Sequence, residues 1–143
     1  MKKIEFTLLC LFIAGLFSAQ SQSVVGKWKT FDDGTGEAKS IVEIIEKDGK
    51  IYGKVMEILN PEKRHAKCQN CSGEDKDKPV LGLTIIKGLS KEGTTYSNGK
   101  ILDPNNGKLY KCTISLDEHD KLNVRGYIGV SLLGRTQIWS RVK

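Results

Sequence analysis

The stretch Asn106-Gly107-Lys108-Leu109-Tyr110-Lys111-Cys112-Thr113-Ile114-Ser115-Leu116-Asp117 carries the plainest structural signal in the chain. From Tyr110 onward every second residue is apolar or aromatic. Tyr110, Cys112, Ile114 and Leu116 fall on one face of an extended segment, and Lys111, Thr113 and Ser115 on the other. A period of two belongs to a strand that buries one face and wets the other. Asn106-Gly107, just ahead, supplies two residues that accept positive φ at little cost, as a tight antiparallel connection requires.

The same grammar extends in both directions. Strands are predicted over 24–32, 39–47, 50–59, 80–87, 94–97, 100–103, 108–117, 121–128 and 134–142, with Asp48-Gly49 and Asn98-Gly99 as further tight turns. Helical periodicity is nearly absent from this part of the chain. Eight or nine short strands joined mostly by tight turns predict an all-β fold, a small antiparallel up-and-down barrel, because closure removes exposed sheet edges. A sandwich is the alternative. The one long interruption, 60–79, is polar and bounded near Pro61 and Pro79; a connection of that length is functional, cross-linked or disordered.

Alternation also sorts interior from exterior. Val24, Gly26, Trp28, Thr30 and Asp32 share a face opposite Lys27 and Lys29, so Trp28 points inward. The last strand divides into Arg135, Gln137, Trp139 and Arg141 on one side and Thr136, Ile138, Ser140 and Val142 on the other. Neither set is a dry core face, which suits a barrel with a polar or ligand-holding interior.

The N-terminus has a different character. Lys2 and Lys3 precede an apolar run, Leu8 to Phe17, too short for a stable bilayer span and followed by small residues. Residues 1–19 read as a secretory signal peptide, with cleavage after Ala19 or after Ser21, leaving 20–143 as a single barrel domain without a transmembrane anchor. Cys10 lies inside the apolar run behind Leu8 and Leu9 rather than behind small residues, which argues against lipidation. The expected location is exported, periplasmic or secreted. The 143 residues suit one domain, and 38% hydrophobic and 28% charged residues with 3 Pro exclude collagen-like, mucin-like and acidic disordered classes. Net charge is +6, or +5 once Lys2, Lys3 and Glu5 are removed. Lys and Arg are scattered between strands and turns, and export separates the protein from cytoplasmic nucleic acid, so no nucleic-acid partner is expected.

Taken together, several segments resemble the secreted bacterial family called domain of unknown function 2147. They are Gly26-Lys27-Trp28-Lys29-Thr30 with Asp32-Asp33, the Cys68 and Cys71 pair followed by Pro79-Val80-Leu81-Gly82-Leu83, Gly99-Lys100-Ile101-Leu102-Asp103-Pro104, Val124-Arg125-Gly126-Tyr127 and Gly134-Arg135-Thr136-Gln137-Ile138-Trp139-Ser140-Arg141. The resemblance implies an exported lipocalin-like, calycin-type barrel and no established activity. Gly26-Lys27-Trp28 and Arg141 look like the lipocalin pair in which an Arg from the last strand packs across the first-strand Trp, a structural role.

Two clusters could carry chemistry. Cys68-Gln69-Asn70-Cys71 reads as a local disulfide that stiffens the long loop, leaving Cys112 as a buried thiol. The sharper alternative is a metal site on His65, Cys68 and Cys71, completed by Cys112 or Asp75. Haem attachment is excluded by Ser72 after the second Cys, and no cofactor is expected. The second cluster is Asp32 at a barrel rim, for which Arg125 or Arg135 could provide a cationic partner. With Tyr127 and Trp139, such an Arg would hold the anionic end of a small, lipid-like or partly apolar ligand. Asp103, in Asp103-Pro104-Asn105-Asn106-Gly107, reads as a β-turn residue accepting backbone amides, and lacks EF-hand spacing. Gly-x-Ser-x-Gly is absent, and Asp32 and Asp33 alternate faces, so enzyme signals are thin. The leading function is a ligand-binding barrel or envelope interaction module. Its alternatives are an envelope enzyme using Asp32, Asp103 and the two arginines, and a metal-binding loop. The oligomeric state stays open.

Overall fold

The computed structural model describes residues 23–130 and 133–143; the proposed signal peptide lies outside them. Eight strands follow in order: β1 (Gly26–Phe31), β2 (Ala38–Lys47), β3 (Lys50–Ile58), β4 (Thr84–Glu92), β5 (Thr95–Leu102), β6 (Leu109–Glu118), β7 (Lys121–Tyr127) and β8 (Gly134–Arg141). Each pairs antiparallel with its sequence neighbour, and β8 returns to β1 to close the barrel. The all-β barrel expected from the alternation is the observed fold.

The expected strands 94–97 and 100–103 are one strand, β5, so the count is the lower of the two expected among the described residues. Asn98-Gly99 is not a hairpin turn but an irregularity within β5, where the register against β6 shifts between Tyr96 and Gly99. Asn98 takes a φ of 63°, and a Cβ at Gly99 would sit 2.4 Å from the Lys87 carbonyl oxygen of β4. The dipeptide thus serves a bulge and a close strand approach, which need the same backbone freedom as a turn. β4 correspondingly runs on to Glu92, past the expected limit at residue 87.

Inward residues fill the lower half of the barrel. Trp28, Val42, Ile44, Leu89, Ile114 and Leu122 are fully buried, alongside Ile51 and Val124. The β7–β8 register settles the ambiguous last strand: Leu122 faces Trp139, Val124 faces Gln137 and Gly126 faces Arg135. Arg135, Gln137, Trp139 and Arg141 therefore belong to the inner face, and Ile138 is left half exposed on the outer wall.

The two ends differ. At one, strands turn at Asp48-Gly49, Gly93-Thr94 and His119-Asp120, and Arg141 seals the bottom. Its guanidinium carbon lies 4.3 Å from the Trp28 ring centroid. Nε donates to the His119 carbonyl at 2.8 Å, Nη1 to that of Val25 at 3.2 Å and Nη2 to that of Ser23 at 2.7 Å. The Trp28 indole N–H is satisfied by the Val24 carbonyl at 2.9 Å. Gly26, at φ 141°, leaves room for this plug, since a Cβ there would lie 2.8 Å from Arg141 Nη1. The connections at the opposite end, among them 32–37, 59–83 and 103–108, are longer and leave the barrel open.

Removing the buried indole should be the most damaging single change at the sealed end. Trp28→Ala is expected to lower stability by about 3–5 kcal/mol. Arg141→Ala, which removes the ring contact and three carbonyl partners but no core volume, should cost less. Urea denaturation of both variants checks the order.

Candidate functional site

Above the filled lower half lies a cavity of about 740 Å³. Its apolar walls come from Ile85, Ile101, Val124 and Trp139, with Tyr110 beside them, and its mouth from Asp32, Asp33, Lys39, Asp103, Asn105, Tyr127, Leu133 and Arg135. This layout follows from the strand lengths. Large inward side chains occupy the sealed half, while toward the rim the inner positions become Gly126, Thr30, Gln137 and Arg135, which do not close the space.

Three inner residues of β8 form a hydrogen-bonded series from wall to mouth. The Trp139 indole N–H donates to Gln137 Oε1 at 3.2 Å. Gln137 Nε2 donates to Asp33 Oδ2 at 2.9 Å, and Arg135 Nη2 lies 2.9 Å from that same oxygen. The amide orientation follows from its partners: with the indole donating on one side and a carboxylate accepting on the other, only one placement satisfies both. Arg135 uses one donor here and is 68% exposed, so this ion pair is weak and its remaining N–H groups stay available.

Of the six candidate site residues, five border the cavity: Asp32, Asp103, Tyr127, Arg135 and Trp139. Arg125 does not. It pairs across from Thr136, alternates with the inward Val124 and Gly126, and therefore lies on the outer wall, where Nη1 donates to Thr136 Oγ1 at 3.0 Å. Tyr127 shares that outer parity and reaches the cavity only because it stands at the rim.

The expected cationic partner of Asp32 is also corrected. Asp32 Oδ1 accepts the backbone amides of Gly34 and Thr35, both at 2.9 Å, and the Thr35 hydroxyl at 3.3 Å. Those amides, of Thr35 first and then Gly34, hold its carboxyl below the usual range, and Lys39 adds a smaller pull. Arg135 pairs instead with Asp33, which lies past the end of β1 where strand alternation no longer dictates direction. Asp33 is thus a site residue that the sequence pattern does not reveal, whereas Gln137 lies inward with Arg135 as the alternation of the last strand suggests. Asp103 caps its own turn, accepting the Asn105 amide at 2.8 Å.

Cys68 and Cys71 form a disulfide, and both are buried. Their sulfurs are committed to each other, which removes the thiolates from the metal alternative, and His65 is exposed. Among the described residues no group of three or more His, Cys, Asp or Glu is placed to hold a metal ion. The disulfide loop docks against the β5–β6 turn: Asn70 Nδ2 donates to the Asn105 carbonyl at 2.9 Å, and Cys68 Sγ contacts the Pro104 carbonyl oxygen at 3.8 Å. One side of the mouth is thereby braced. Cys112 is a buried free thiol on the inner face of β6, and burial pushes its pKa up to about 12.

Residues 26–141 match the family model DUF2147, described as "Uncharacterized protein conserved in bacteria". The chain belongs to this family. A search of curated proteins finds no match. Among solved structures, the chain resembles one titled "Protein HP1028 from the human pathogen Helicobacter pylori belongs to the lipocalin family", with a TM-score of 0.75 and 19% identity over 85% of this chain and 84% of that one. At that identity the likeness is one of fold: this DUF2147 member is a lipocalin-like barrel, an architecture consistent with ligand binding.

The thiol gives a pH prediction for this DUF2147 protein. Cys112 stays protonated in the folded state up to about pH 12, whereas in the unfolded chain it ionises near the ordinary thiol value of 9.0. Below pH 9 the residue contributes no pH dependence; between 9 and 12 the unfolded state loses a proton that the folded state keeps, so stability falls as pH rises. The expected slope is at most about 1.4 kcal/mol per pH unit. It is read as the difference between the wild-type protein and Cys112→Ala in urea titrations from pH 8 to 11, and an identical pH profile for the two would contradict the assignment.

Proposed function

We propose that this protein is an exported binder of a small, partly apolar ligand whose anionic end meets Arg135 at the barrel mouth. The observation that carries the reading is the cavity of about 740 Å³, apolar in its depth and polar at its rim. That size and distribution suit a small molecule with an apolar body and one polar end. Arg135 is a suitable anchor because its pairing with Asp33 is solvent-exposed and costs little to rearrange, while Gln137 and Asp33 orient the guanidinium from below. A ligand carboxylate or phosphate could then take a two-pronged bond from the remaining donors.

Support for export comes from two sources. The buried disulfide fits an oxidising compartment, and the basic and apolar start of the chain fits a leader. No helix among the described residues is long and apolar enough to cross a membrane.

Native mass spectrometry of the protein purified from its natural source tests the proposal. A co-purifying small molecule is expected. Gly126 lines the cavity, and a Cβ there meets Ile101 and Tyr110 at 3.5 Å without overlap, so Gly126→Leu should fill the space and lose the molecule while the fold persists by circular dichroism. Arg135→Ala should weaken retention about tenfold, as loss of a charge-assisted bond would. Retention unchanged in both folded variants would sink the reading.

A further inference from the structure

We infer that the wall and rim beneath the β7–β8 connection form a docking surface for an anionic lipid bilayer. Two observations meet at this place. The first is apolar: Ile128, Val130 and Leu133 are 61%, 61% and 71% exposed, and the Leu133 amide donates to the Val130 carbonyl at 3.0 Å, which holds them on one projecting rim. Leu109, at the start of the adjoining strand β6, is 45% exposed beside them.

The second is a band of lysines crossing the outer wall just below that rim. Lys87 of β4 is registered directly opposite Lys100 of β5, and Lys100 directly opposite Lys111 of β6. Like charges facing each other across a sheet are destabilising, so the band is not explained by the fold's own stability. Asp75 neutralises Lys87. Lys100 and Lys111 have no ion pair among the described residues, and the Lys111 ammonium donates to the Gly129 carbonyl at 3.4 Å, which ties the band to the apolar rim.

Exposed apolar side chains flanked by cations are the chemistry of a surface that dips into the headgroup layer of an anionic membrane. The net charge of the chain has the matching sign. A second copy of the protein fits less well, since a symmetric contact through this face would bring two lysine bands together. Orientation follows: the rim that carries Ile128 and Leu133 also borders the cavity, so a docked barrel would present its mouth to the bilayer. This inference stands on the outer wall and does not require the cavity to be a ligand site.

Co-sedimentation of the purified protein with vesicles of phosphatidylcholine alone, or mixed with phosphatidylglycerol, provides the test. Binding to the mixed vesicles only is expected, weakening as salt is raised. Lys100→Gln with Lys111→Gln should reduce the partition about thirtyfold, the equivalent of about 1 kcal/mol for each lysine. Val130→Asp, at a residue that belongs to neither the lysine band nor the cavity lining, should reduce it as well. Folding of each variant is checked by circular dichroism. Equal binding to neutral vesicles, no binding to either kind, or unchanged binding by the folded lysine variant overturns the inference. So does a dimer in light scattering that Val130→Asp dissolves when vesicles are not bound, because the face would then be an interface between copies. Vesicle binding is also scored with Gly126→Leu: if that variant binds vesicles normally yet carries no small molecule, the docking surface and the cavity are separate properties, and failure of one is not failure of the other.

Discussion

The barrel depends on one seam. Seven of its eight strand pairings join sequence neighbours, all but β3–β4 through short connections. The eighth joins the first strand to the last, with only Trp28 opposite Arg141 and Lys29 opposite Ser140 in register. A backbone bond from Val142 to Lys27, 2.9 Å, extends it slightly. So short a ladder does not offset the entropy of bringing distant chain segments together by backbone pairing alone. Arg141 supplies the rest: it stacks on Trp28, bonds carbonyls before β1 and in the β6–β7 turn, and so fastens three parts of the chain at one point. With the seam closed, no strand edge is left for unwanted pairing.

Sealing one end frees the other. Because the closed half already holds the large apolar side chains, the inner positions near the rim can carry Arg135, Gln137 and Thr30 without an unsatisfied buried group: Thr30 Oγ1 and Ser40 Oγ share a hydrogen bond at 2.7 Å, and Gln137 is bonded on both sides. The long β3–β4 connection is held by its disulfide and by Asn70 against the β5–β6 turn, whose residues Asp103, Pro104 and Asn105 border the cavity.

Legibility in the sequence tracked how local each determinant was. The alternation of Tyr110, Cys112, Ile114 and Leu116 reads directly as a half-buried strand, and the buried Cys112 and Ile114 agree with it. Asn98-Gly99 misled because a bulge and a hairpin turn ask the same backbone freedom of the same residues, and only the pairing of β5 with β4 and β6 separates them. The position of Arg125 on the outer wall is legible too, in its alternation with the inward Val124 and Gly126, which overrides its proximity in sequence to the rim. Asp33 and the docking of Asn70 on Asn105 were not readable in this way. Each depends on partners far along the chain and lies outside the strands that periodicity can orient.

The two tryptophans of the chain occupy contrasting surroundings. Trp28 is sealed beneath a guanidinium at the closed end, and Trp139 borders the cavity with its indole N–H bonded to Gln137. Their emission therefore reports on separate events. Trp28 emission reports on closure of the ring and Trp139 emission on the cavity wall, so the two indoles are intrinsic optical probes of opposite halves of one barrel.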